Sequence, residues 1–344
     1  MNRLAENQFA GSLIGQCLGD ALGLLVEGRT PDVCQRYVRD LVCTGRVVEQ
    51  GRGRYRFGQY SDDSQLAREL LQSFVACQGF DPRDYARRIA AIFVEDRIVG
   101  QGFATRGAAL RLAQGADWEE AGSEPPEAGN GSAMRAGPVG LLFCDDPERL
   151  VQVAYDQGRI THKDRRCSAG AILIAGSVAL ALRHTAAEAP EFTDQLAVWV
   201  EPFDPILVSA LHRMEQWLRL EPGVAVSEIS RVGLEPDFVD AWRYISPFVT
   251  TSVLWSLYSF LKHPDSYLEA ICTAISAGGD VDTTAAMTGA ISGARVGLEG
   301  LPRDLVQLLN DKGTWRYEEL VQLSSESHSV VMEARRDTAG PNPR

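Results

Sequence analysis

Asp63–Cys77 reads DSQLARELLQSFVAC. Leu66, Leu70, Leu71, Phe74 and Val75 recur at spacings of three and four residues, so they form one stripe of an amphipathic helix. The same signature spreads outward from it. Ser168–Leu182 is apolar almost all round and reads as a helix buried on every side. Val249–Leu261 and Tyr267–Ala277 read similarly. No alternation of period two is convincing, there is no Asn-Gly or Asp-Gly hairpin, and no repeat of fixed period. About fifteen helices on short loops would cover the chain, which predicts an all-α fold: a single compact multi-helix bundle over residues 1–323. Ala113–Gly131, rich in Gly, Glu, Pro and Ala, is expected to be a loop. Residues 324–344 are polar and end Gly-Pro-Asn-Pro-Arg, so a disordered tail is expected there.

The 344 residues are 45% hydrophobic and 23% charged, the balance of an ordinary globular protein with a sizeable core. A formal net charge of −12 gives no general pull on a phosphate backbone, which argues against nucleic acid as a partner. It leaves a local anion site open, because backbone amides can build one in an acidic protein. The seven cysteines are scattered and include no C-x-x-C pair, so they read as reduced thiols in a cytoplasmic protein rather than a disulfide framework or a zinc site. Phe9–Val26 is apolar, but it contains Asp20, is thick with glycine and lacks a preceding basic run, so it does not read as a signal peptide. No membrane span and a monomer are the expectations.

Five segments carry chemistry. Ser61-Asp62-Asp63-Ser64 stands directly before the amphipathic helix, where a cap needs one oxygen and two adjacent carboxylates are more than a cap requires. Gly278-Gly279-Asp280-Val281-Asp282-Thr283-Thr284 opens a second helix, Thr283 to about Val296, with Ala285, Gly289 and Gly293 as a strip of small residues for a closely packed neighbour. Together the two clusters offer only oxygen: Ser61, Asp62, Asp63, Asp280, Asp282 and Thr283. That chemistry suits Mg²⁺, Ca²⁺ or Mn²⁺ and argues against zinc, and four carboxylates suit two ions better than one. Gly129-Asn130-Gly131-Ser132-Ala133-Met134-Arg135 is a glycine-rich turn into a helix, able to offer free N–H groups to an anion, although taken alone it reads better as an ordinary loop-to-helix join. His162 precedes the buried helix. Asp20 lies in an apolar, glycine-spaced helix that should end near Glu27.

In this order and combination, the five segments resemble the ADP-ribosylglycohydrolase family, of the dinitrogenase reductase-activating glycohydrolase and ADP-ribosyl-acceptor hydrolase type. The resemblance covers roughly residues 7–310, with no motif from about 184 to 250. It implies an all-α bundle with two Mg²⁺ ions, for which Mn²⁺ can substitute, at the bottom of an ADP-ribose cleft. The metal ligands would be Ser61, Asp62, Asp63, Asp280, Asp282 and Thr283, with Ser61 standing where the family usually has Thr. Glu27, Asp62, Asp63 and Asp282 become the catalytic candidates. Asp20, Gly129, Asn130, Gly131, Ser132, Met134, Arg135 and His162 become the substrate-binding ones. The implied reaction cleaves the C1″ glycosidic bond of a mono-ADP-ribosylated protein, arginine being the favoured acceptor, and releases ADP-ribose. The competing readings are a silent ADP-ribose-binding or toxin-immunity protein on the same fold, and a different Mg²⁺-dependent nucleotide hydrolase.

Overall fold

In a computed structural model, described over residues 6–183, 189–234 and 244–338, the chain is all-α. Seventeen α-helices, four short 3-10 or π-helical segments and a two-stranded hairpin, Gly51–Arg52 with Tyr55–Arg56, make up the regular structure of the described residues. The helices expected from periodicity are present: Asp62–Cys77, Arg165–Arg183, Val249–Lys262, Tyr267–Ser276 and Val281–Val296.

The centre of the bundle is an antiparallel pair of helices, Glu6–Leu24 and Val281–Val296. The first carries Gly11, Gly15, Gly19 and Gly23 at every fourth residue, and the second answers with Gly293, Gly289 and Ala285. Their backbones touch. A Cβ at Gly15 would lie 2.5 Å from the Gly289 carbonyl oxygen, and one at Gly289 would lie 2.2 Å from that of Gly15. The Ser12 hydroxyl donates to the Ala290 carbonyl across this seam, and the Tyr267 hydroxyl donates to the Gly15 carbonyl from the neighbouring helix Tyr267–Ser276. So close an approach brings the C-terminal end of the first helix, with Glu27 just beyond it, beside the Asp280–Asp282 end of the second.

Arg165–Arg183 has the length and composition of a membrane-spanning helix, but it is encased by protein. Against it pack the helices Gly137–Leu142, Pro147–Arg159 and Val249–Lys262.

The expected disordered tail is corrected over most of its length. Tyr317–Thr338 is one continuous helix; residues 339–344 lie outside the described ones. Leu320, Leu323, Ser324, Ser327, Val330 and Val331 are its buried residues, a helical stripe in which two serines occupy core positions. Ser327 satisfies its hydroxyl on the Leu323 carbonyl one turn back, so it can be buried at little cost. Phe9 meets His328 edge-on, with ring centroids 5.1 Å apart, where this helix crosses the first.

Candidate functional site

Two helix starts converge on one cavity of about 420 Å³. At the first, Ser61 caps the helix Asp62–Cys77: its hydroxyl accepts from the Asp63 N–H and donates to Asp63 Oδ2 at 2.8 Å. At the second, Asp280 precedes the helix Val281–Val296, and Asp282 lies in its first turn. Asp280 accepts from the Asn130 amide at 2.6 Å, and that amide also donates to Ser252 Oγ. Gly279 has a φ of +89°, and a Cβ there would sit 2.1 Å from the Ile245 carbonyl oxygen, so only glycine fits the turn. The same turn is sewn to the segment after the first helix by two backbone bonds, Gly28 N–H to the Gly279 carbonyl and Gly279 N–H to the Arg29 carbonyl. That stitching carries Glu27 to the acidic pair, and oxygens of Glu27, Asp280 and Asp282 lie within 4.8 Å of one another.

The electrostatics of this end call for a cation. Asp62, Asp63, Asp280 and Asp282 all have their carboxyls pushed up from the ordinary range, first by burial and then by neighbouring carboxylates: Asp20 and Glu27 for Asp62, Asp20, Asp62 and Asp280 for Asp63, Glu27 for Asp280, and Glu27, Asp280, Asp63 and Asp20 for Asp282. Asp63 Oδ1 and Asp282 Oδ1 are buried with no hydrogen-bond partner. Buried oxygens are normally satisfied, and two orphaned carboxylate oxygens facing the same acidic cluster fit a hard metal ion.

The far end of the cavity has the opposite character. Gly129, Asn130, Gly131, Met134 and His162 line it. Beneath them lies Arg135, fully buried, with no carboxylate partner among the described residues. Its guanidinium donates to the side-chain and backbone oxygens of Gln157, to the Gly131 carbonyl and to Thr161 Oγ1. A guanidinium does not lose its proton, so a full positive charge sits under this loop. Burial and the nearby Arg135 charge push the His162 imidazole down to about 3, so it is neutral. Its Nδ1 is 2.8 Å from Thr161 Oγ1, while that hydroxyl's other acceptor, the Gly158 carbonyl, is 3.5 Å away. The shorter contact assigns the Thr161 proton to Nδ1, which leaves Nε2 as a donor beside Gly129 and Gly131.

The structure brings Glu27, Ser61, Asp62, Asp63, Gly129, Asn130, Gly131, Met134, His162, Asp280, Asp282 and Thr283 to this one cavity. Three residues expected to touch substrate lie behind its wall instead. Asp20 is fully buried and accepts four hydrogen bonds: two from the Ser61 N–H and two from the Ser64 N–H and hydroxyl. It therefore anchors the start of the Asp62 helix. Ser132 donates to the Cys167 carbonyl, and Arg135 is engaged as described. Each spends its polar atoms on protein.

The sequence reading missed the opposite wall, Gly100–Thr105, and Pro247. Gly100, with φ +78°, faces Asp62 so closely that a Cβ would lie 2.5 Å from Asp62 Oδ1, and the Asp62 N–H donates to the Val99 carbonyl. The two glycines of Gly100-Gln101-Gly102 were the available signal.

A family model described as ADP-ribosylglycohydrolase matches residues 1–338. The chain is 30% identical to ADP-ribosylhydrolase ARH3 of Bos taurus over 360 residues, covering 95% of this chain and 94% of that protein. It is 25% identical to the ADP-ribosylarginine hydrolase Tri1 of Pseudomonas putida over 88% of this chain and 74% of that one. A solved structure described as an ADP-ribosylglycohydrolase-related protein complex superposes with a TM-score of 0.70 at 25% identity, covering 95% of this chain and 99% of that one. Matched from end to end by the family model and built on the same all-α fold, the chain belongs to the ADP-ribosylglycohydrolase family, hydrolases of ADP-ribosyl glycosidic bonds.

Proposed function

We propose that this protein is a Mg²⁺-dependent ADP-ribosyl-acceptor hydrolase that cleaves the C1″ glycosidic bond of a mono-ADP-ribosylated protein, with arginine as the acceptor, and releases ADP-ribose. We infer further that it acts as a cytoplasmic monomer. The observation that carries the reading is the polarity of the cavity: a carboxylate cluster with two orphaned oxygens at one end, and a donor-lined loop over a buried arginine at the other. ADP-ribose has the complementary order, a hydroxyl-rich ribose followed by a diphosphate. The donor set fits the metal. Two Mg²⁺ ions, or Mn²⁺ in their place, would be held by Ser61, Asp62, Asp63, Asp280, Asp282 and Thr283 and would supply electrostatic activation of the ribose hydroxyls and of water.

The protein's own groups do the rest. The Gly129 and Gly131 N–H groups and the His162 Nε2–H hold the diphosphate, the Asn130 N–H being taken by the Pro247 carbonyl, and Arg135 adds its charge from beneath. Anchoring that remote group orients the reacting ribose, and positioning of this kind can remove up to ~7–11 kcal/mol from a barrier. Glu27 lines the cavity beside Asp280 and Asp282, is partly exposed, and is the carboxylate placed to take a proton from water. Water's oxygen bonds to C1″, the bond from C1″ to the acceptor breaks, and the acceptor takes up a proton. The cavity walls carry Glu27 and Glu127 but no Arg or Lys side chain among the described residues, which supports a cationic acceptor such as a guanidinium.

The test is ADP-ribose release from ADP-ribosyl-arginine and ADP-ribosyl-serine peptides, with Mg²⁺ and with EDTA. The expected result is release from the arginine peptide that EDTA abolishes. Preference for serine would overturn the acceptor; no release from either by folded, Mg²⁺-loaded protein would overturn the reaction.

A further inference from the structure

The acidic cavity has a basic neighbour. Arg46–Arg56 carries four arginines and one glutamate in a chain whose formal net charge is −12. The hairpin within it, Gly51–Arg52 with Tyr55–Arg56, exposes Arg52, Arg54 and Arg56. Arg52 Nη1 lies 2.6 Å from Glu27 Oε2, and Glu27 lines the cavity, so the hairpin stands at the cavity's edge. Arg54 donates to the Tyr55 hydroxyl at 2.9 Å, and neither it nor Arg56 pairs with a carboxylate among the described residues.

The hairpin borders a groove of about 470 Å³ whose lining includes Arg54, Arg56, Gln59, Asp96 and Lys312. Three cations stand against one carboxylate in that lining. Lys312 is fixed there at both ends: its backbone N–H donates to Gln59 Oε1 at 2.9 Å, and its ammonium donates to the Asp96 and Ile98 carbonyls at 2.9 and 3.1 Å. A carbonyl orients an ammonium without neutralising it, so the groove keeps an excess of positive charge. Two short stretches of chain join the groove to the cavity. Gln59 lines the groove and Ser61 the cavity; Asp96 lines the groove and Gly100 the cavity. At no more than ~3.6 Å per residue, these stretches span at most about 7 Å and 14 Å. An extended peptide reaching from one site to the other therefore needs only a few residues.

The cavity walls carry carboxylates and no Lys or Arg side chain among the described residues, while unpaired cations line the groove beside it. A modified residue with acidic neighbours meets complementary charge outside the cavity, and one with basic neighbours meets repulsion. We propose that the hairpin and its groove dock the acceptor protein by recognising aspartate or glutamate side chains that flank the ADP-ribosylated residue. This inference rests on the hydrolase reading above and gives that site its target preference. Each exposed pair contributes little alone, so the selection comes from several cations held side by side.

The test compares three substrates in Mg²⁺: free ADP-ribosyl-arginine, and two ADP-ribosyl-arginine peptides of equal length, flanked by glutamates or by glutamines. At low salt, KM should be about five- to tenfold lower for the glutamate peptide than for the glutamine peptide, with kcat alike. The gap should close in about 0.5 M NaCl, where exposed charges are screened. The double variant Arg54→Glu/Arg56→Glu, at exposed positions outside the cavity, should erase the gap and leave kcat/KM for free ADP-ribosyl-arginine within about twofold of the parent. No gap in the parent protein, or a gap that survives the double variant, would overturn the proposal. An equal loss on all three substrates would also overturn it, because the arginines would then be attracting the nucleotide's own phosphates. If none of the three is cleaved, the hydrolase reading falls, and binding of the unmodified glutamate peptide, followed by fluorescence anisotropy, decides the docking surface separately. Binding that the double variant abolishes would uphold the surface, and any other result would overturn it.

Discussion

At the scale of single residues, the site is built from side chains that hold other side chains. Asn130 illustrates it. The glycine-rich turn reads in the sequence as a substrate loop, and the Asn130 amide donates to Asp280 Oδ2 at 2.6 Å, tying that turn to the acidic cluster. Removing an outer partner of a metal-binding carboxylate typically weakens the metal 10- to 100-fold. Asn130→Ala should therefore raise the Mg²⁺ dissociation constant about tenfold, measured by calorimetry; an unchanged constant would show that Asp280 holds its orientation without help. Asp282→Ala removes an orphaned buried carboxylate. Turnover should fall below detection while the melting temperature of EDTA-treated protein rises, because burial and the neighbouring acids disfavour that charge in the folded state. An Asp282→Ala protein with full activity would remove Asp282 from the site.

At the scale of elements, the decisive feature is the seam between the first helix and Val281–Val296. Gly289→Ala would drive a Cβ to 2.2 Å from the Gly15 carbonyl oxygen, against backbone that cannot swing aside. Overpacking against main chain should cost about 3 kcal/mol or more, seen as a large fall in urea midpoint. Gly79→Ala is the matching control: nothing lies within 4 Å of its Cβ position, so its effect should stay within about 0.5 kcal/mol. A Gly289→Ala protein as stable as the control would mean the helices can part without loss. Much of this was legible beforehand, because apolar periodicity and a glycine or alanine every fourth residue are local patterns. The helix Tyr317–Thr338 was not, since its buried face includes Ser324 and Ser327, and whether a serine is buried depends on a neighbour far away in sequence. The site divides the same way. The acidic runs and the glycine turn announced themselves by composition. That Asp20, Ser132 and Arg135 lie behind the wall depends on which backbone atoms meet them in space. The same holds for the way Arg52 reaches Glu27 across 25 residues.

At the scale of the whole molecule, the clustered acids couple folding to pH and, on the function proposed above, to metal. Asp62 is pushed up to about 7 and Asp280 to about 6, and Asp63 and Asp282 are raised well above the ordinary value of 3.8. In the metal-free protein, then, the folded state keeps protons on these groups that the unfolded chain has already released. Where the native state binds more protons, stability falls as pH rises, so the acids destabilise the metal-free fold progressively from about pH 4 to about pH 7. His162 acts in the opposite sense, because its pKa is depressed to about 3 and the unfolded chain takes up its proton first; the partly buried His263 does so more weakly. Two opposing histidines do not outweigh four carboxylates, and the ion-paired aspartates with lowered values, such as Asp84 and Asp164, titrate below this window. The melting temperature of EDTA-treated protein should therefore be higher at pH 5 than at pH 7.5. Saturating Mg²⁺ should reverse the order, because the ion displaces those protons and binds best where they are already gone. Thermal melts at the two pH values, with EDTA and with Mg²⁺, decide it. A metal-free protein that gains stability from pH 5 to 7.5, or a Mg²⁺ shift no larger at pH 7.5 than at pH 5, would mean that the four carboxylates do not share the buried, mutually repelling environment the fold gives them.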